Sequence, residues 1–251
     1  MNTNDALIRV IAVATLAVPT VLTAETILGT AGPDYLIGTP GADFINGRGG
    51  ADKMTGLAGN DTYVVNVEAD KVVEQAGGGT DTVRVFGWYV LPAHVENLVV
   101  AGSRNGGGYG NRRANRMIGN SAFNQLDGGP GNDTLTGHGG PDHFSFDSPL
   151  DARTNVDRVT DFNVEEDVIT LGERFPALFS YCEWGFPLYP WLFHVGAAAT
   201  TPLHFIVYNP ASGGVFYDSD GSGPTPAVRF ATLSPNLALT SSDFGTLHCR
   251  N

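Results

Sequence analysis

The sequence predicts an all-β chain: a flattened solenoid in two segments, closed by a β-rich cap. Two observations of spacing and one of composition predict it. Gly29, Gly38, Gly47 and Gly56 recur every nine residues, as do Gly32, Gly41, Gly50 and Gly59. Asp34, Asp43, Asp52 and Asp61 keep the same step, followed two places later by Leu36, Ile45, Met54 and Tyr63. The period returns in "GNRRANRMIGNSAFNQLDGGPGNDTLTGHGGPDHFS", starting at Gly110. Glycine makes up 33 of the 251 residues, about twice its usual ~7%. The 26 acids are 18 Asp and 8 Glu, and Asp suits turns where Glu suits helix surfaces.

The elements follow in order. Residues 1–24 carry the apolar run "ALIRVIAVATLAVPTVLTAE" behind Arg9, which resembles a secretory signal peptide; the alternative is a strand or helix capping the first repeat. Residues 25–65 form the first repeat block. Residues 66–109 form a spacer whose alternation (Val83, Val85; Leu98, Val100) and glycine punctuation predict short strands and turns. Residues 110–146 form the second block, with Asn115, Asn124, Asp133 and Asp142 at the acidic position and Met117, Leu126, Leu135 and Phe144 at the apolar one. Its first two units are altered: Arg113 and Ala122 replace glycine, and Asn replaces Asp. Residues 147–251 form the cap. There "VDRVTDFNVEEDVITL" reads as strand, turn and strand, and 175–191 as a loop, an apolar patch or a capping helix. "HFIVYNPASGGVFYDSDGSGPTPAVRFATL" reads as hairpin strands with turns at Asn209–Gly214 and Asp218–Gly223.

Charge and motif inventory narrow the function. A net charge of −12, with 14 Lys+Arg, argues against nucleic acid, which demands a basic face; Arg112, Arg113 and Arg116 read as a solvated face of the repeat. No run after the first two dozen residues reaches the ~18 apolar residues of a membrane span. HExxH and GxSxG are both missing from the sequence, and with them the zinc-protease and α/β-hydrolase readings. The six histidines (His94, His138, His143, His194, His204 and His248) are scattered without ligand spacing. The sequence therefore predicts no catalytic site. Cys182 and Cys249 lack a CxxC spacing; a bridge and two thiols both stay open.

The repeat itself demands a cation. A nonapeptide with one apolar position makes a turn of about six residues and a strand of about three, and alternate units stack ~4.8 Å apart. A core one residue wide offsets little of the entropy of ordering the chain, and stacked aspartates repel. Calcium takes six to eight oxygen ligands, backbone carbonyls included. Stacking every second unit pairs Asp34 with Asp52, Asp43 with Asp61, Asn115 with Asp133 and Asn124 with Asp142. The mixed Asn/Asp pairs bring less charge and predict weaker binding. Asp157, Asp161 and Asp167, and separately Asp218 and Asp220, are further candidate sets.

The motif GGxGxDxUx, U being a large apolar residue, resembles the repeat of the RTX (repeats-in-toxin) calcium-binding proteins. The resemblance covers almost everything after Glu25. The spacer and tail are similar to secreted calcium-binding RTX proteins of proteobacteria, and "VDRVTDFNVEEDVITL" to the segment closing the roll in serralysin-type metalloproteases. It implies a parallel β-roll and several Ca²⁺ ions held by the acidic position and by turn carbonyls, here Gly32, Gly41, Gly50, Gly59, Gly131 and Gly140. It also implies an extracellular or surface location in a Gram-negative bacterium, reached through type I export machinery, with a structural, adhesive or interaction role; the signal-peptide-like run of residues 1–24 points to Sec export machinery instead. The alternative is a secretion and folding module of, or accessory to, an RTX protease, lipase, epimerase or toxin. A monomer is expected.

Overall fold

Each short strand of the repeats turns its middle residue inward, and strands eighteen residues apart pair in parallel. The computed structural model describes residues 9–12, 23–179 and 187–246, which are nearly all β. Contacts divide the chain into two units, Met1–Gly102 and Ser103–Asn251.

In the first unit, Arg9–Ala12, Asp34–Ile37, Lys53–Thr55 and Lys71–Val73 make one parallel sheet. Thr26–Leu28, Phe44–Asn46, Thr62–Val65, Thr82–Val85 and Asn97–Val100 make the other. Register aligns Leu36 with Met54 and Val72 on one side. On the other it aligns Ile27, Ile45, Tyr63, Val83 and Leu98. All eight are buried, six of them (all but Ile27 and Val72) with no exposed surface at all. The spacer therefore continues the solenoid after its nine-residue period has ended.

The second unit repeats the scheme. Gly106–Tyr109, Asn124–Asp127, His143–Phe146, Val168–Leu171 and Phe244–Thr246 form one parallel sheet. Arg116–Ile118, Thr134–Thr136, Asp157–Val159 and Val228–Thr232 begin the other. The "VDRVTDFNVEEDVITL" segment thus adds one strand to each sheet. Beyond Val228–Thr232 the order turns antiparallel through Gly214–Tyr217 and Ile206–Asn209, where the hairpin strands were expected. Phe193–Val195 lies parallel at the edge. Edge-to-face packing of Phe146, Phe175, Tyr217 and Phe230 fills the cap. The described part of the aromatic segment holds a one-turn helix, Pro176–Phe179, and a 3-10 turn, Pro190–Leu192. Cys182 and Cys249, with most of the N-terminal apolar run, lie outside the described residues.

All eight residues at the apolar position of the repeats, from Leu36 to Phe144, have 0% exposure. Leu36→Ala and Leu135→Ala should each cost ~2–5 kcal/mol in denaturant unfolding at millimolar calcium. Tyr35→Ala, on the outward face at 40% exposure, should stay within ~0.5 kcal/mol. Equal costs at Leu36 and Tyr35 would contradict a core one residue wide.

Candidate metal centre

The acidic position of each repeat ends its turn and starts its strand, so its side chain stays at the turn. In Asp52, Asp61, Asp133 and Asp142 the Oδ1 there accepts the backbone N–H of the acidic position one coil earlier. Asp34 N donates to Asp52 (2.9 Å), Asp43 N to Asp61 (2.7 Å), Asn115 N to Asp133 (2.6 Å) and Asn124 N to Asp142 (2.8 Å). The structure thus brings together all four pairs derived from the eighteen-residue spacing. All eight side chains are buried.

These rungs run on past the repeats. Asp52 N donates to Asp70, Asp61 N to Asp81, Asp133 N to Asp157 and Asp142 N to Asp167. Asp70 stands eighteen residues after Asp52, a signal present in the sequence. Asp81, Asp157 and Asp167 follow steps of 20, 24 and 25 residues, which a search for a fixed period passes over. Asp157, Asp161 and Asp167 do not form one set. Asp157 and Asp167 serve different ladders, while Asp161 accepts from the backbone N–H groups of Gly137 and His138.

Two kinds of turn carry the ladders. In the first two units of each run, the backbone N–H at position two closes onto the acidic-position side chain. Thr30 N lies 2.6 Å from Asp34 Oδ2 and Thr39 N 2.5 Å from Asp43 Oδ2. Asn111 N lies 2.7 Å from Asn115 Oδ1 and Asn120 N 2.6 Å from Asn124 Oδ1. In the last two units, positions two and four are left-handed instead: Arg48 and Gly50, Leu57 and Gly59, Gly129 and Gly131, His138 and Gly140. Glycine serves position four there because φ reaches 109° at Gly50 and 108° at Gly59. In these open turns Asp52, Asp61, Asp133 and Asp142 each keep a buried Oδ2 with no hydrogen-bond partner.

The carbonyl positions stack as well. A Cβ on Gly50 would fall 2.6 Å from the Gly32 carbonyl oxygen, and one on Gly59 would strike the Gly41 carbonyl. Gly131 and Gly140 stand likewise over Arg113 and Ala122 of the preceding coil. Oxygen donors of one sign, crowded, buried and partly unsatisfied, fit a hard divalent cation.

Burial pushes Asp52 up to about 6, against backbone hydrogen bonding that lowers it, with Asp70 and Asp34 adding repulsion. Asp61 and Asp142 are pushed to about 7, again chiefly by burial. Asp133 and Asp157 face each other and are both raised, burial first.

Elsewhere, Asp218 and Asp220 each keep a buried Oδ1 with no hydrogen-bond partner in the loop after Gly214–Tyr217. His194 and His204, far from any ligand spacing, stack with ring centroids 4.6 Å apart. Arg112, Arg113 and Arg116 are exposed. Among the described residues no helix is long and apolar enough to cross a membrane.

A parallel solenoid whose turns carry ladders of buried carboxylates is a cation-binding repeat protein. The repeats are RTX calcium-binding nonapeptides: the family model for four copies of that repeat matches residues 28–63 and again 109–144. A search of curated proteins finds no match for the chain.

In chelator, the raised carboxylates have an opposite consequence from calcium's. Their pKa values are higher in the fold (about 6 for Asp52, about 7 for Asp61 and Asp142) than the ~3.9 of an unfolded Asp. The fold therefore takes up protons, and its stability falls as pH rises from about 4 to about 7. Far-UV dichroism in chelator should show β-structure increasing as pH is lowered from 8 to 5, whereas calcium affinity should fall over the same range. Parallel trends in the two titrations would contradict this.

Proposed function

We propose that the chain is a secreted calcium-binding protein whose repeats fold on binding Ca²⁺ outside the cell, where the rigid roll serves a structural or interaction role. The single observation that carries the reading is the set of orphaned carboxylate oxygens in the open turns, Asp52, Asp61, Asp133 and Asp142. An unsatisfied buried polar atom costs ~1–3 kcal/mol, and more when charged. A fold that contains several of them in register is poorly stable until a cation satisfies them. Calcium, when bound, supplies positive charge and accepts these oxygens as ligands.

The chain's own residues do the rest. The closed turns engage one oxygen of their acidic positions through Thr30, Thr39, Asn111 and Asn120, Asp34 alone among them keeping a buried Oδ1 with no partner, and the open turns aim their Oδ2 atoms at the ligand. Extracellular calcium modules bind at ~10⁻⁴–10⁻³ M, so the chain would stay unfolded and exportable inside and become rigid outside. Metal binding is then coupled to folding. A non-catalytic role accords with a repeat whose acids and glycines are all used in turn geometry.

Far-UV dichroism in chelator and then in millimolar calcium tests the reading: β-signal should rise steeply with calcium. A full β-signal in chelator at neutral pH, unchanged by calcium, would refute it. The sites should also be unequal. Asp52→Ala removes a charge and an orphaned oxygen and should weaken calcium binding on the order of tenfold. Asn115→Ala removes a neutral side chain from a closed turn and should do much less. Equal, negligible effects in calorimetric titrations would sink the pairing of Asp34 with Asp52.

A further inference from the structure

Glu74 occupies a glycine's place. Lys71–Val73 pairs with Lys53–Thr55 in register, Lys53 with Lys71 and Thr55 with Val73. The next residue along each strand is Gly56 on one side and Glu74 on the other. A residue at position one of a coil is ordinarily a glycine in this chain, as at Gly29, Gly38 and Gly47. Here a carboxylate stands instead, and it turns inward: Glu74 is buried at 8% exposure.

It does not arrive alone. Oxygens of Asp61, Glu74 and Asp81 lie within 4.8 Å of one another, and all three residues are buried. Asp61 and Asp81, at 1% and 0% exposure, each keep an Oδ2 without a hydrogen-bond partner. The Tyr63 hydroxyl donates to Glu74 Oε1, and Gln75 N donates to Glu74 Oε2 (3.2 Å). A side chain at Gly56 would run into Asp61 Oδ2, the Tyr63 hydroxyl and Glu74 Oε1 together, so the glycine leaves the room in which they converge. A Cβ on Gly78 would lie 2.9 Å from both Glu74 Oε2 and the Leu57 carbonyl oxygen, so this glycine too leaves room beside Glu74.

We propose that Asp61, Glu74 and Asp81 form a three-carboxylate calcium site that closes the first run of repeats. Three buried carboxylates, two of them with an unsatisfied oxygen, call for a cation rather than for hydrogen-bond donors. All-oxygen ligation selects a hard ion. The site differs from those between stacked nonapeptides because two of its three ligands, Glu74 and Asp81, come from residues outside the repeats. It pins the glycine-rich turn 75–80 to the last coil, at the point where the step between rungs widens from 18 to 20 residues.

This inference rests on the repeats binding calcium, so the test separates the two. Native mass spectrometry and calorimetric titration of the full chain with calcium count the bound ions. Glu74→Gln keeps the shape and an acceptor for the Tyr63 hydroxyl but loses the charge; it should bind one ion fewer while the other sites persist. A wild-type chain that binds calcium and an E74Q chain with the same count and affinities would overturn the site alone. A wild-type chain that takes up no calcium would overturn the repeat reading with it. Terbium excited through tyrosine gives a second readout that does not depend on E74Q folding. Tyr63→Phe should lower the sensitised emission at least twofold, because the Tyr63 hydroxyl touches Glu74; unchanged emission would count against the site.

Discussion

The structure depends on one repeated hydrogen bond: a carboxylate oxygen at the acidic position accepts the backbone N–H of the equivalent residue in the coil before. This rung explains why the acid must stand at the start of the strand, where the donor N–H faces along the stack. It outlasts the nine-residue period. The rung from Asp61 to Asp81 spans 20 residues and that from Asp142 to Asp167 spans 25, with the surplus looped out between strands. The coil-to-coil bond is therefore the physical requirement, and a pair of nonapeptides is one way to meet it: Asp81 N finds a carboxylate oxygen of Glu96 only 15 residues on.

The two turn types give the sequence variation a physical reason. Arg113 and Ala122 replace glycine where position four is not left-handed, so a Cβ there carries no backbone strain. Asn115 and Asn124 replace Asp in the same two turns, where the side-chain oxygen accepts a position-two N–H at 2.7 and 2.6 Å. An amide oxygen accepts that bond as well as a carboxylate oxygen does. In the open turns of the same run, Gly131, Gly140, Asp133 and Asp142 are kept. Glycine is needed there for positive φ, and a second anionic oxygen is left for a ligand.

Much of this was legible in the sequence because a period of nine fixes both which residues face inward and which acids meet. Leu36, Leu126 and Phe144 are inside, and Asp34 meets Asp52, for that reason alone. The difference between open and closed turns was not legible, since it lies in backbone dihedrals at positions two and four, and Leu57 and His138 are not residues that announce a left-handed conformation. Nor was the spacer's place in the solenoid. Val72, Val83 and Leu98 keep the register only because turns of unequal length return each strand to the same stack. Asp157 and Asp167 looked like one cluster by proximity in sequence, yet consecutive strands belong to opposite sheets, so the two acids lie on different ladders.

The ladder geometry also bears on how the chain can fold. In a solenoid each coil gains stability mainly from its neighbours, and here the neighbours differ in what they require. The closed turns of the second run engage their Asn oxygens within four residues, through contacts such as Asn120 N to Asn124, and carry no charge that calls for a counterion. An open turn such as that of Gly137–Asp142 gains the rung from Asn124 but keeps an oxygen unsatisfied. On the proposed coupling of folding to calcium, order would begin at the closed pair of the second run, while its extension over the open pair would wait on a cation. Because the spacer and cap strands continue the same sheets, the burial of Val83, Leu98 and Ile169 would, on the same proposal, follow the ordering of the open coils beside them. The metal's influence would then reach strands that contribute no ligand to it.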